Sequence, residues 1–317
     1  MIGGHGDGAP DRKPEAGCGP GATGRPAIRG GGPAARLGLG LLTAAGAILT
    51  RPALEALIRG GLLAAWRISA RLRGSLDANA QRLLEPGASA AQRKALAREQ
   101  IGSFARFIAE MAALNRGGNE AAGLLGRVEG TEHLDQALAA GRGLVAVTLH
   151  MGNYEFAAAA LASRIPAGVA VVYDRDPGRH WEGRRDRWRK EARVDGLAIG
   201  GSPFFAIEAL ARLREGQAVL LAGDQVELRA GETFDFLGAR AVFSLFPARL
   251  AQSGGAPIIP AFCARSPSGA WDLFLEPPIF PGDRDPRAIT EDLLATYGRY
   301  LRRFPGQWLM MRPFWDC

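Results

Sequence analysis

Residues 141–157 read GRGLVAVTLHMGNYEFA, and this stretch decides the fold. The run Leu144 to Leu149 is apolar, short and rich in β-branched residues, the pattern of a buried strand. It stops at His150. Gly152 permits a tight turn and Asn153 is a good helix N-cap, so the chain turns a corner into a helix beginning near Tyr154. Glu155 follows the histidine by five residues. On one helix that spacing would turn the two side chains roughly 140° apart, whereas the strand-turn-helix corner lets Glu155 fold back toward His150. Such a corner lies at the carboxyl end of a strand, where open α/β sheets bind ligands.

Outward from this corner the chain alternates. Helical periodicity covers 89–115, with Ser89 as cap, and 131–140, with Thr131 as cap. Further helices are expected at 156–163, 181–194, 206–213, 248–252 and 291–304, and strands at 169–173, 197–199, 218–222, 258–264 and 271–275. Pro257 and Pro260 flank a strand. Short apolar strands separated by helices predict an α/β fold, a mainly parallel mixed sheet covered by helices.

Three units are expected: a disordered leader over 1–34, a helical segment over 35–85 and a catalytic domain over 86–317. The leader is rich in Gly, Pro and Arg, and its GPGATG (19–24) has neither the preceding strand nor the following helix of a dinucleotide loop. Residues 37–50 are apolar but shorter than the roughly 20 that span a bilayer, and they lie too far in for a typical signal peptide. Leu54, Leu57, Ile58, Leu62 and Leu63 then repeat at helical spacing among arginines. That suits a helix lying on an anionic cytoplasmic leaflet, the alternative being an ordinary core-packing helix pair.

The net charge of +7 favours anionic partners. Its basic residues are almost all arginine in a chain rich in Ala and Gly, a compositional bias, so no nucleic-acid partner is inferred. The three cysteines are scattered and odd in number, which fits a reducing compartment rather than a disulfide scaffold. No metal site is expected, for no zinc spacing occurs; nor does a GxSxG elbow or a phosphate loop of the GxxxxGK type. The segment 179–193 holds seven Arg or Lys, Arg189 among them, and suits a phosphate or an acidic carrier surface as well as a solvated face.

The chemistry of the corner suits acyl transfer to a hydroxyl, which is a poor nucleophile until a base removes its proton. Imidazole is the side chain for that role, and a carboxylate on the other ring nitrogen fixes the tautomer and stabilises the imidazolium. On spacing alone the alternative stands, that His150 ends a strand and Glu155 is a solvated acid at a helix N-terminus.

The stretch GRGLVAVTLHMGNYE resembles the first block of the lipid A biosynthesis (lauroyl/myristoyl) acyltransferases, whose signature is HxxxxE or HxxxxD. VEGTEHLDQAL, LREGQAVLLAGDQ, FDFLGARAVFSLFPARLAQSGGAPIIPAFCAR, RRFPGQWLMMRPFW and NAQRLL are similar to further blocks of that family, in order, over roughly 37–316. The resemblance implies a glycerol-3-phosphate acyltransferase-like fold with a membrane-associated N-terminal segment, at the cytoplasmic face of the inner membrane. It implies His150 as general base with Glu155 as its partner. Asn153, Arg189, Asp224, Gln225, Gly238 and Arg240 fall on the substrate side. It implies no cofactor: acyl carrier protein or coenzyme A supplies the acyl thioester, and a glycolipid such as a lipid A precursor accepts it. Branches of the family that acylate mannosylated phosphatidylinositol share these motifs, and a hydrolase could use the same pair. Phe243–Pro247 and Met311–Arg312–Pro313 depart from the family's usual residues.

Overall fold

The computed structural model describes residues 48–113, 125–174, 182–199, 204–224 and 231–315. Three helices come first: α1 (Arg51–Ile68), α2 (Ala70–Leu83) and α3 (Ala90–Ala113). Then follow β1 (Leu125–Glu129), α4 (Thr131–Leu138), β2 (Leu144–Thr148), α5 (Tyr154–Ala162), β3 (Val169–Asp174), α6 (Glu182–Glu191), β4 (Val194–Ile199), α7 (Phe205–Arg214) and β5 (Ala218–Ala222). A hairpin, β6 (Gly231–Phe236) and β7 (Ala239–Ser244), precedes α8 (Phe246–Gly254), β8 (Ile258–Arg265), β9 (Trp271–Leu275), α9 (Pro286–Arg303) and a 3₁₀ turn at Pro305–Gln307.

Seven strands form one sheet in the order β1-β9-β8-β2-β5-β3-β4. Pairing is parallel except between β8 and β9. The β2 segment LVAVT is buried throughout, because both of its faces are covered. Its alternate residues feed opposite cores: Val145 and Val147 pack with Val219 and Leu221 on one side, Leu144 and Ala146 with Ala218 and Leu220 on the other. The alanine-rich α5 approaches the second face closely, burying Ala157, Ala158, Ala160 and Ala162 there. The expected mainly parallel α/β sheet covered by helices is present.

Two parts were not foreseen. The strand β1 is polar and half exposed at the sheet edge, so it lacks the apolar run that marks an interior strand. The hairpin turns at Leu237 and Gly238, both with positive φ, the geometry of a two-residue hairpin turn. Pro260 lies within β8 rather than flanking it, and Val194 begins β4 rather than ending α6.

At the amino end, α1 buries Leu54 and Ile58 against Ala105, Ala109 and Ala112 of α3. Among the described residues no helix is long and apolar enough to cross a membrane. The expected leader, and residues 37–47 of the apolar segment, lie outside the described residues.

The turn after β2 has little freedom. Gly152 has φ +57°, and a Cβ there would run into the Cys263 carbonyl and the Trp271 ring. Gly152→Ala is therefore expected to destabilise the fold by roughly 2–5 kcal/mol, summing left-handed strain and overpacking; a thermal midpoint equal to wild type would contradict this.

Candidate active site

The strand β2 delivers its chain to a corner clamped by the C-terminal segment. Met151 bridges Trp308, the Leu309 amide donates to the His150 carbonyl at 2.8 Å, and the Gly152 amide donates to the Gln307 carbonyl at 3.0 Å. The adjacent parallel strand β5 ends at the same edge, and Gly223 and Asp224 follow it. The Gly223 amide donates to the Thr148 carbonyl at 2.8 Å, bringing Asp224 beside His150.

The histidine's partner is Asp224. Its Oδ1 lies 2.7 Å from His150 Nδ1, and the His150 backbone amide donates to both carboxylate oxygens at 3.0 and 3.1 Å. The Trp308 indole donates to Oδ2 at 2.7 Å. Burial by itself would raise the pKa of Asp224. The charge of His150, the ring and indole hydrogen bonds and the backbone amide outweigh it, holding the carboxyl below its ordinary range. With Nδ1–H donated to the carboxylate, the lone pair of the neutral ring sits on Nε2, which has no hydrogen-bond partner among the described residues. The ring itself is partly exposed, with 24% of its side-chain surface accessible against 1% for Asp224.

Glu155 does not occupy the place expected of it. Its carboxylate is buried in a two-point pair with Arg189, Nε to Oε2 at 3.0 Å and Nη2 to Oε1 at 2.5 Å. A carboxylate buried to 1% takes the cation that matches both its oxygens. The expected His150–Glu155 hydrogen bond is thus replaced by His150–Asp224. Arg189 leaves Nη1 buried without a partner, as are Nε and Nη2 of Arg185. Both guanidiniums stand 4.9 Å over the Tyr173 ring.

Asn153, expected on the substrate side, is fully used inside the fold. Its Oδ1 caps α5 through the Phe156 amide at 3.2 Å, and its Nδ2 donates to Glu110 Oε2 at 2.8 Å. Glu110 also takes the Trp271 indole at 3.3 Å. Burial raises this carboxyl above its ordinary range, only partly offset by Asn153 and Arg265. Gly238 is a hairpin-turn residue whose carbonyl accepts from Arg82 at 3.0 Å, and Arg240 is exposed on β7. Neither makes a hydrogen bond to His150, Asp224 or Glu155 among the described residues. Gln225 lies outside them.

Tyr154 sets its ring edge-on to His150, with centroids 5.2 Å apart. Burial, then the Glu155 charge, pushes its hydroxyl above the ordinary range, so it stays protonated. Burial also pushes the Cys263 thiol up to about 12, which removes it as a nucleophile at neutral pH. Sequence reasoning placed Asp224 on the substrate side and missed its bond to the ring. The available signal was that Asp224 follows a strand, β5, expected to end at the same edge as β2.

A histidine held by a buried carboxylate at the carboxyl edge of a mainly parallel sheet defines the class, an α/β protein with a histidine–aspartate pair. A family profile of the bacterial lipid A biosynthesis acyltransferases matches residues 34–316, and the chain belongs to that family of acyltransferases. It is similar to the phosphatidylinositol mannoside acyltransferase of Mycobacterium tuberculosis, 30% identical over 189 residues. That similarity spans 59% of this chain and 59% of that relative, less than two thirds of its length. It is also similar to the phosphatidylinositol mannoside acyltransferase of Mycolicibacterium smegmatis, 29% identical over 276 residues, 86% of this chain and 90% of the relative.

The two carboxylates are separable by substitution. Glu155→Gln leaves Arg189 buried without its counter-charge and is expected to cost about 3–5 kcal/mol in unfolding free energy. Asp224→Asn is expected to lower turnover by about 10³-fold or more, since it removes the charge that fixes the tautomer. Equal turnover of Asp224→Asn and wild type would remove the aspartate from the mechanism.

Asp224 also sets a pH signature. Its folded pKa is depressed, so its stabilisation is complete above the ordinary carboxylate range and is lost as pH falls through the lower folded value. Acid unfolding curves of wild type and Asp224→Asn are expected to converge at the acid end; a constant offset throughout would contradict the pairing.

Proposed function

We propose that this protein transfers a fatty acyl chain from an acyl thioester, on acyl carrier protein or coenzyme A, to a hydroxyl of a glycolipid. The observation that carries the proposal is His150, tied through Nδ1 to a buried Asp224 and presenting Nε2 at the carboxyl edge of the sheet. Nε2 accepts the proton of the acceptor hydroxyl while its oxygen bonds to the thioester carbonyl carbon. The C–S bond of the tetrahedral adduct then breaks, and the imidazolium returns the proton to the departing thiolate. Asp224 stabilises the imidazolium between the two steps. No protein nucleophile and no cofactor are required by this route.

Glu155 enters through Arg189, orienting its guanidinium. The unpartnered Nε and Nη2 of the neighbouring Arg185 supply positive charge for an anionic group of the acceptor, such as a phosphate. Both named relatives act on phosphatidylinositol mannoside, which favours a mannosylated phosphoinositide over a lipid A precursor as the glycolipid.

A membrane-surface location at the cytoplasmic face of the inner membrane belongs to the same proposal. On α1, Leu57 and Ile68 are 55% and 84% exposed. Eleven residues apart, they share one face of the helix. With the neighbouring arginines they suit the surface of an anionic bilayer.

His150→Ala is expected to lower acyl transfer by about 10³-fold or more while leaving the thermal midpoint near wild type. Turnover is measured by mass spectrometry of the acylated lipid, with a phosphatidylinositol mannoside and a lipid A precursor offered as acceptors. Near-wild-type product from the variant would refute the mechanism, and steady fatty-acid release without any acceptor would redirect it to hydrolysis.

A further inference from the structure

Beside the histidine corner, where α1 and α3 meet the β8–β9 turn and the 3₁₀ turn, the surface forms an open cavity of about 620 Å³. Its charged lining is Arg59, Arg98, Arg106, Arg265 and Arg303, against the single carboxylate Glu99. Like charges gathered in a concavity raise a strong local potential for an anion.

The guanidiniums are held mostly by something other than carboxylates. Arg98 lies 5.5 Å over the Trp66 ring, and Arg303 lies 4.7 and 4.9 Å over Phe274 and Phe304. Arg265 donates to the Gly269 carbonyl at 2.8 Å. Arg106 is the one closely paired, with Glu55 at 3.0 Å. Among the described residues Arg59, Arg98 and Arg303 reach no carboxylate within ion-pair distance. A guanidinium seated on a ring face keeps its edge donors free, and that fork matches phosphate oxygens. So many cations in one concavity suit a ligand with more than one negative charge, which a phosphomonoester or diphosphate supplies and a lone carboxylate does not.

The cavity is joined to the histidine corner through Gln307. Its side chain accepts the Arg265 amide at 2.7 Å and donates to the Arg265 carbonyl at 2.9 Å, while its own carbonyl holds the Gly152 amide. A ligand gripped there sits next to the turn that aims His150.

We propose that this cavity binds a phosphate-bearing ligand and holds it beside the site of acyl transfer. Two sources carry that chemistry: the phosphates of a soluble thioester donor, and the headgroup of an anionic phospholipid. Binding is measured without turnover, so this assignment stands or falls separately from acyl transfer.

The test titrates the full chain with coenzyme A, with pantetheine, which lacks the phosphates, and with phosphatidylcholine vesicles with and without phosphatidylglycerol. Salt-sensitive binding to coenzyme A or to the anionic vesicles is expected, with none to pantetheine. Arg98→Gln with Arg303→Gln is expected to weaken it about tenfold or more at an unchanged thermal midpoint. An effect on coenzyme A alone assigns the soluble donor, and an effect on vesicles alone assigns the headgroup. Should the double variant not fold, Arg59→Gln supplies the same comparison, since that side chain is exposed. The proposal is overturned by unchanged affinity of the folded variant for both probes. Failure of wild type to bind either probe overturns it as well.

Discussion

The buried carboxylate of Asp224 is the constraint on which the corner depends. A charge removed from water costs several kcal/mol unless donors surround it. Here the donors come from two distant places: the backbone and ring of His150 at the end of β2, and the indole of Trp308 near the C-terminus. Satisfying one carboxylate therefore fixes the histidine rotamer, the exit of β2 and the path of residues 307–309 together. The same segment is fastened from outside by Asn79 of α2, which donates to the Met310 and Arg312 carbonyls and accepts from the Phe314 amide. The N-terminal helices are thus part of the frame that holds the His150 corner.

Three carboxylates crowd this corner, and their partners separate their roles. Asp224 is held ionised by His150 and its hydrogen bonds. Glu110 is pushed toward the neutral form by burial, and it braces Asn153 and Trp271 from behind. Glu155 is matched by the guanidinium of Arg189. Their environments pull these like groups apart, and Asp224 is the one with a partly exposed ring on its far side.

Much of this arrangement was legible in the chain. The apolar run 144–149, Gly152 and the capping Asn153 announced the strand, turn and helix because each acts locally, through burial, positive φ and a side-chain cap. Alternating elements announced the parallel sheet. The pairing of His150 was not legible from spacing, because Asp224 comes from another strand and becomes its neighbour only through the sheet order. Glu155, close in sequence, was drawn away by Arg189, thirty-four residues further on. The motif thus lies at the corner, while the bond from His150 to Asp224 arises from topology. Strand β1 and the hairpin escaped notice because an edge strand and a short alternating ribbon lack a continuous apolar run.

The placement of positive charge follows from what a base requires. A cation against an imidazole opposes its protonation, and so would weaken His150 in the proposed role of accepting the hydroxyl proton. Yet the acyl transfer proposed above, from a phosphorylated donor to a glycolipid, calls for cations nearby. The structure separates the two demands. Arg189 is neutralised by Glu155. The arginine-lined cavity lies beyond Gln307, reaching the corner through backbone amides and carbonyls rather than through charge. Anionic groups remote from the reacting atoms can then be gripped while the environment of Nε2 is governed by Asp224.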